Sequence, residues 1–279
     1  MRATWAELRK REQFSHVFMI GCDSHGLQLL VKDLLQLPSI GALFKKAQDI
    51  VTHFNHAPLQ LAVLREIQIE EYGKEMSLLG AVITRWGSQY TMLESIKRSE
   101  TALTSLAERS DIKIDAEVRA TLRDDDFWIH LGKLILLLKP IDEAIRKSEA
   151  VGSDLSKVLK RWKSLQSHLV SSERFKPFEH DIHDYNTNKF DQRMEKQVSD
   201  MHWVIFYLDP TNQDLWMVPN IQRRVNNFIQ QYCDIDASIA IEEFTAFRTK
   251  DGSFFEAACW DYTSDAKRFW RMQVSCIAF

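Results

Sequence analysis

Two kinds of apolar pattern alternate along the first third of the chain. Val17, Phe18, Met19 and Ile20 form a short run closed by Gly21, too brief for a helix, so the pattern predicts a buried strand. Leu27, Leu30, Val31, Leu34 and Leu35 then recur at helical spacing, with Gln28, Lys32, Asp33 and Gln36 on the opposite face. Asp23 or Ser24 can cap this helix, and Pro38 stops it. Residues 2–12 suit a helix as well, since alternating charges surround Ala3, Ala6 and Leu8 without Gly or Pro. Helices are predicted at 37–54 and 58–71, with Tyr72-Gly73 as a stop. Residues 78–84, apolar and partly β-branched, read as a second buried strand.

From Gln89 onward the period is almost wholly helical. Helices are expected at 90–107, 152–175, 190–208, 219–232 and 237–247. The longest starts at Asp125 or Asp126 and buries Phe127, Trp128, Leu131, Leu134, Ile135 and Leu138. Pro140 kinks this helix rather than ending it, because Ile141 and Ile145 keep the phase. Residues 178–188 read as a polar linker, and the chain beyond Phe255 as an unpatterned tail.

Composition narrows the class. The 279 residues are 45% hydrophobic and 27% charged, as in a soluble globular protein with ample core. No apolar run is long enough to span a membrane, and the charged start differs from a signal peptide. The four cysteines (Cys22, Cys233, Cys259 and Cys276) are widely spread, which points to reduced thiols and an intracellular setting. A net charge of −3 provides no general attraction for nucleic acid. Basic residues gather only locally, at 157–163, at Arg223-Arg224 and at 267–271.

Several sequence blocks share a family likeness. The segment from Cys22 and His25 through Asp33, C-x-x-H-x-L-x-L-L-V-K-D, resembles part of the RNase H-like catalytic fold of hAT-type DNA transposases. Thr84-Arg85-Trp86-Gly87-Ser88, followed by Met92-Leu93, resembles the family's T-R-W-x-S-x-x-x-M-L block. His202 to Leu208-Asp209-Pro210, and then Phe247 to Phe254 with Gly252, are similar to two segments late in the family's helical insertion. All four occur in the family's order. The resemblance implies a mixed α/β, predominantly helical chain: a partial RNase H-like segment over 1–88, an all-helical insertion over 89–250, and a short tail over 251–279.

The resemblance also implies a chemistry and its loss. Family members use three carboxylates to hold two divalent ions, Mg²⁺ or Mn²⁺, for phosphoryl transfer. By alignment, Met1 falls at or next to the end of the turn carrying the second carboxylate, and the chain stops before the third. The expectation is therefore a transposase-derived protein, truncated at both ends, without catalytic residues or cofactor. It would retain DNA or protein binding. A nuclear location follows from the resemblance alone. The alternatives are a fragment of an active transposase and a helical protein-interaction module. An apolar strand left at an incomplete sheet edge would favour self-association.

Within this reading, His25, Arg85 and Trp86 are the candidate nucleic-acid contacts: the histidine placing DNA, the arginine on phosphate, the tryptophan stacking on an extruded base. Each has a plainer role as a helix-start, ion-pair or junction residue. Cys22 and His25 form half of a zinc set whose remaining ligands the sequence does not supply; His53 and His56 fall on another helix. Ser172-Glu173-Arg174-Phe175 imitates the family's catalytic-Glu segment but precedes the Leu208-Asp209-Pro210 block instead of following it. Asp124-Asp125-Asp126 reads as a helix cap.

Overall fold

A computed structural model describes residues 2–14, 17–81, 87–232, 236–255 and 257–276. In chain order the helices are α1 (Arg2–Arg9), α2 (Asp23–Leu35), α3 (Pro38–Asn55), α4 (Pro58–Tyr72), α5 (Gly87–Arg98), α6 (Glu100–Glu108), α7 (Ala116–Leu122) and α8 (Asp125–Glu149). They continue as α9 (Ser156–Val170), α10 (Glu179–Tyr185), α11 (Asp191–Gln197), α12 (Asp200–Leu208), α13 (Pro219–Tyr232), α14 (Ala237–Thr249) and α15 (Ala266–Cys276). Short 3-10 and π turns link several of them.

The mixed α/β expectation is overturned. The protein is all-helical: no described residue lies in a strand, so neither an RNase H-like sheet nor its unpaired edge is formed. The physical reason lies in where the backbone groups of the two expected strands go. The amide of Val17 closes a turn onto the Phe14 carbonyl at 3.0 Å, and the Gly21 carbonyl accepts from the Gln197 side chain at 3.2 Å. In the second segment the Leu79 amide donates to Ser95 Oγ, and just ahead of it the Met76 amide donates to Gln68 Oε1, both at 2.9 Å. Side chains on neighbouring helices satisfy donors that a ladder would have taken. Val17 and Phe18 are also exposed at 41% and 39%, unlike members of a buried strand. The remaining residues of the second expected strand, 82–84, lie outside the described residues.

The chain divides into two compact units, one comprising residues 23–151 and 163–193 and the other residues 1–22, 152–162 and 194–279. In the first unit α8 is the central element, packing on α2, α3, α5 and α7. Its Leu131, Leu134, Leu137 and Ile141 are fully buried, and the helix passes through Pro140 without ending. Leu27, Leu30 and Leu34 of α2 and Ile40, Ala47, Ile50 and Phe54 of α3 are likewise fully buried. The α2 and α3 axes meet at 93°, with Pro38 opening the second helix. Gly73, at φ 71°, closes α4 in the left-handed conformation that glycine adopts at least cost.

The linker expected at 178–188 is instead α10 and a π turn, and it fixes α3 from a distance. Leu37 precedes α3 without offering a side-chain cap. Asp181 of α10 supplies one, accepting from the Ser39 amide at 2.9 Å and the Ser39 hydroxyl at 2.5 Å. Nearby, Asp33 Oδ2 receives Tyr185 Oη at 3.0 Å and the Arg193 guanidinium at 2.5 Å.

The tail expected to lack pattern is ordered by aromatic packing in the second unit. Phe247, Phe254 and Phe269 are buried together with Cys259, and Trp260 and Trp270 pack against them. Both indoles are satisfied: Trp260 donates to the Phe254 carbonyl at 2.7 Å and Trp270 to the Leu208 carbonyl at 3.1 Å.

Candidate functional site

Two of the four blocks that carried the family likeness have structural roles here. The Ser199 amide donates to His202 Nδ1 at 3.1 Å, so His202 closes the start of α12. Asp209 accepts from the Thr211 amide at 3.0 Å and caps the turn at Pro210. Phe247 and Phe254 pair edge-to-face at 5.4 Å, while Lys250 and Gly252 take the positive φ angles between them. Each of these residue types can be explained by helix ends and core.

Of the candidate nucleic-acid contacts, His25 lies in the first turn of α2 and is exposed. Thr84, Arg85 and Trp86 lie outside the described residues, as does Cys233. Cys22 is exposed, with a free thiol. Among the described residues no group of three or more His, Cys, Asp or Glu side chains is placed to hold a metal ion. No single described helix is long and apolar enough to cross a membrane. Asp124 caps α8 through the Asp126 amide at 3.1 Å, so the acidic run begins the helix one residue ahead of the expected cap. Trp162, inside the basic run at 157–163, is fully buried and cannot act as a stacking platform.

What the structure does bring together is a cleft of about 700 Å³ inside the first unit, bounded by α2, α5 and α8. Gln28 enters from α2, within the Cys22–Asp33 block, and Gly87 and Ser88 enter from the end of the Thr84–Ser88 block. Asp142, Arg146 and Glu149 line the α8 side, one helical turn apart from one to the next. Leu79 and Ile145 supply apolar wall.

The polar groups of the cleft are held by a local network. Ser24 Oγ donates to Glu149 Oε1 at 2.5 Å, and Gln28 Nε2 donates to the same oxygen at 3.4 Å. The Asp142 side chain is only 8% exposed, and its Oδ2 receives Arg146 Nε at 2.7 Å. Its other oxygen, Oδ1, is buried and has no hydrogen-bond partner among the described residues. That oxygen faces Gly87, where an added Cβ would lie 3.4 Å away. Arg146 is largely exposed and, among the described lining residues, is the single cation beside two carboxylates. Beyond the lining, burial and the hydrogen bond to Glu94, reinforced by the charges of Asp142 and Glu143, push the Tyr90 phenol up.

Sequence reasoning missed Asp142, Arg146 and Glu149. Their spacing on one face of α8 was visible, but it matches an ordinary solvated stripe. Only the fold shows that part of this stripe turns inward against Gly87. No protein-family model, curated protein or solved structure matches the chain.

Proposed function

We propose that this chain is a transposase-derived helical binding protein that acts on a protein partner, not a strand-transfer enzyme, and that the α2–α5–α8 cleft is its contact site. The single observation that carries this reading is the buried Asp142 carboxylate next to Gly87 in the cleft wall, which Glu149 also lines two helical turns further along α8. A phosphate backbone needs converging cations, whereas the described lining residues include two carboxylates and one guanidinium. Its sign favours a basic polypeptide segment. The family ancestry rests on the ordered sequence blocks; the parent family's sheet chemistry is not carried over.

The test is a direct competition. Fluorescence anisotropy with labelled duplex DNA, single-stranded DNA and an arginine-rich peptide, at about 150 mM salt to screen non-specific attraction, should give binding to the peptide alone. DNA binding as tight as the peptide's would overturn the reading. So would Mg²⁺- or Mn²⁺-dependent strand cleavage that disappears when a carboxylate of this chain is mutated.

A further inference from the structure

We infer that His168 is a proton-operated latch for the turn that follows α9: neutral, the ring holds Arg174, and protonated, it must release it. The state of each ring nitrogen follows from its partner. Nε2 lies 3.1 Å from the Leu137 carbonyl oxygen, which can only accept, so this nitrogen carries the hydrogen. Nδ1 lies 3.3 Å from Arg174 Nη2, which can only donate, so this nitrogen is bare. One form of the ring serves both partners, the neutral Nε2–H tautomer. A proton can then enter only at Nδ1. There it takes the lone pair that receives the arginine and sets two cations side by side.

The turn held in this way is the 3-10 segment Ser172–Phe175. The Arg174 amide closes onto the Ser171 carbonyl at 3.4 Å, and just beyond, the Phe178 amide closes onto the Phe175 carbonyl at 2.7 Å. Phe175 is buried, with the His168 ring edge-on to it at 5.1 Å and the Arg174 guanidinium over it at 5.3 Å. Release of Arg174 therefore removes a tie between the turn and α9 together with a group that covers Phe175.

Charged neighbours of the ring are few. On α9 no charged residue stands one turn from His168, and on α8 the one charged residue a turn from Leu137 is Lys133. The turn contributes Glu173 and Arg174, with Lys176 next to it. Packed on the turn, α10 brings Glu179 paired with Lys176 at 4.0 Å, His180 paired with Asp184 at 3.4 Å, Asp181 bound to Ser39, and His183. Among these described groups Arg174 is the one whose charge acts on the ring. Burial, the larger effect, and Arg174 together hold the His168 pKa below 6.5 against the Leu137 carbonyl. The latch is thus closed above pH 6.5 and opens as pH falls through the lower folded-state value. A merely structural histidine would account for the carbonyl bond and for the ring on Phe175. It would not account for a guanidinium aimed at the second nitrogen, where it makes contact and proton mutually exclusive.

The experiment uses the full chain, with the histidine ring nitrogens followed by long-range ¹H–¹⁵N NMR. Backbone amides are followed by exchange, each rate divided by its intrinsic value at that pH. At about pH 7.5, a full unit above the ordinary histidine value, His168 should show the Nε2–H tautomer. As its ring titrates, protection of the Arg174 and Phe178 amides should fall about two- to fivefold, the weight of one exposed contact, while the α8 amides hold. Arg174→Glu should reverse the sense. A carboxylate beside Nδ1 favours the imidazolium, so the midpoint should rise above that of the original chain and the same two amides should gain protection on acidification. His168→Gln should leave their protection flat over the same range, which separates His168 from His180 and His183. Arg174 is exposed, so its replacement leaves the core intact, and the tautomer is read without any variant. An Nδ1–H tautomer at neutral pH, protection that ignores the His168 titration, or an Arg174→Glu chain that titrates like the original would each overturn the inference.

Discussion

The two units solve the same burial problem with different materials. Around α8 the core is aliphatic and periodic: leucines and isoleucines recur every three or four residues on long helices, and the faces of α2, α3 and α5 meet them. Around Phe247 the core is aromatic and the helices are shorter. There the buried rings of Phe254 and Phe269 sit within 5.9 Å of Phe247, and the indole N–H groups are tied to backbone carbonyls. An aliphatic stripe announces itself through its period, whereas an aromatic cluster depends on a few large side chains meeting from irregular turns. The first kind of core tolerates small volume changes by repacking along a helix. The second loses many ring contacts with each side chain removed.

That contrast can be broken most forcefully at its centre. Phe247→Ala removes the ring that touches Phe254, Trp260, Phe269 and Trp270, and should destabilise by about 3–5 kcal/mol. Amide exchange should quicken through residues 244–273 and stay unchanged along α8. Quickening along α8 as well would show that the aromatic cluster does not have a stability of its own.

Leu134→Ala is the counterpart in the aliphatic core, with an expected cost of about 2–5 kcal/mol. Denaturant melts should place it at or slightly below the Phe247 variant, because neighbours along α8 can relax into the gap. A larger loss than at Phe247 would reverse the ranking of the two cores.

Asp181→Ala should cost about 1 kcal/mol, the value of a helix cap, with faster exchange confined to the first turn of α3. Restoration by Asp181→Asn, which keeps an acceptor, would sharpen the assignment.

The mildest expected effect is on pH. Burial lowers the His168 and His53 pKa values below 6.5, outweighing the Leu137 carbonyl at His168 and Asp115 at His53, which act the other way. A depressed histidine pKa means the unfolded chain binds the proton first. Stability is therefore full above pH 6.5 and declines as pH falls through that value toward the lower folded pKa. His168→Gln, which retains a donor for the Leu137 carbonyl, should flatten part of this decline in melts between about pH 5 and 7.

The long helices of the aliphatic unit were legible because local pattern and tertiary burial agree there. Leu27, Leu30 and Leu34, the helix end ahead of Pro38, the start at Pro58 and the Gly73 stop all do what their spacing says. The errors arose where remote side chains overrule local pattern. Residues 17–20 and 78–81 look like strands by composition, yet Ser95 takes the Leu79 amide, and Gln197 and Gln68 hold the flanking backbone groups of Gly21 and Met76. Residues 178–188 look like a linker, yet Phe178, Ile182 and Tyr185 are buried at spacings too sparse to register as a period. At the cleft, Gly87 was legible only as part of a sequence block. Its partner Asp142 lay in a different helix, and no spacing rule could have joined them.

The cap on α3 carries a consequence for synthesis. The two residues it joins stand 142 positions apart, so a ribosome releases the amino end of that helix long before the aspartate that anchors it has been translated. At elongation speeds of about 5–20 residues per second, the first turn must wait about 7–28 s for its lock, fraying meanwhile. The first turn of this helix is therefore locked only after the whole stretch between Ser39 and Asp181 has been made.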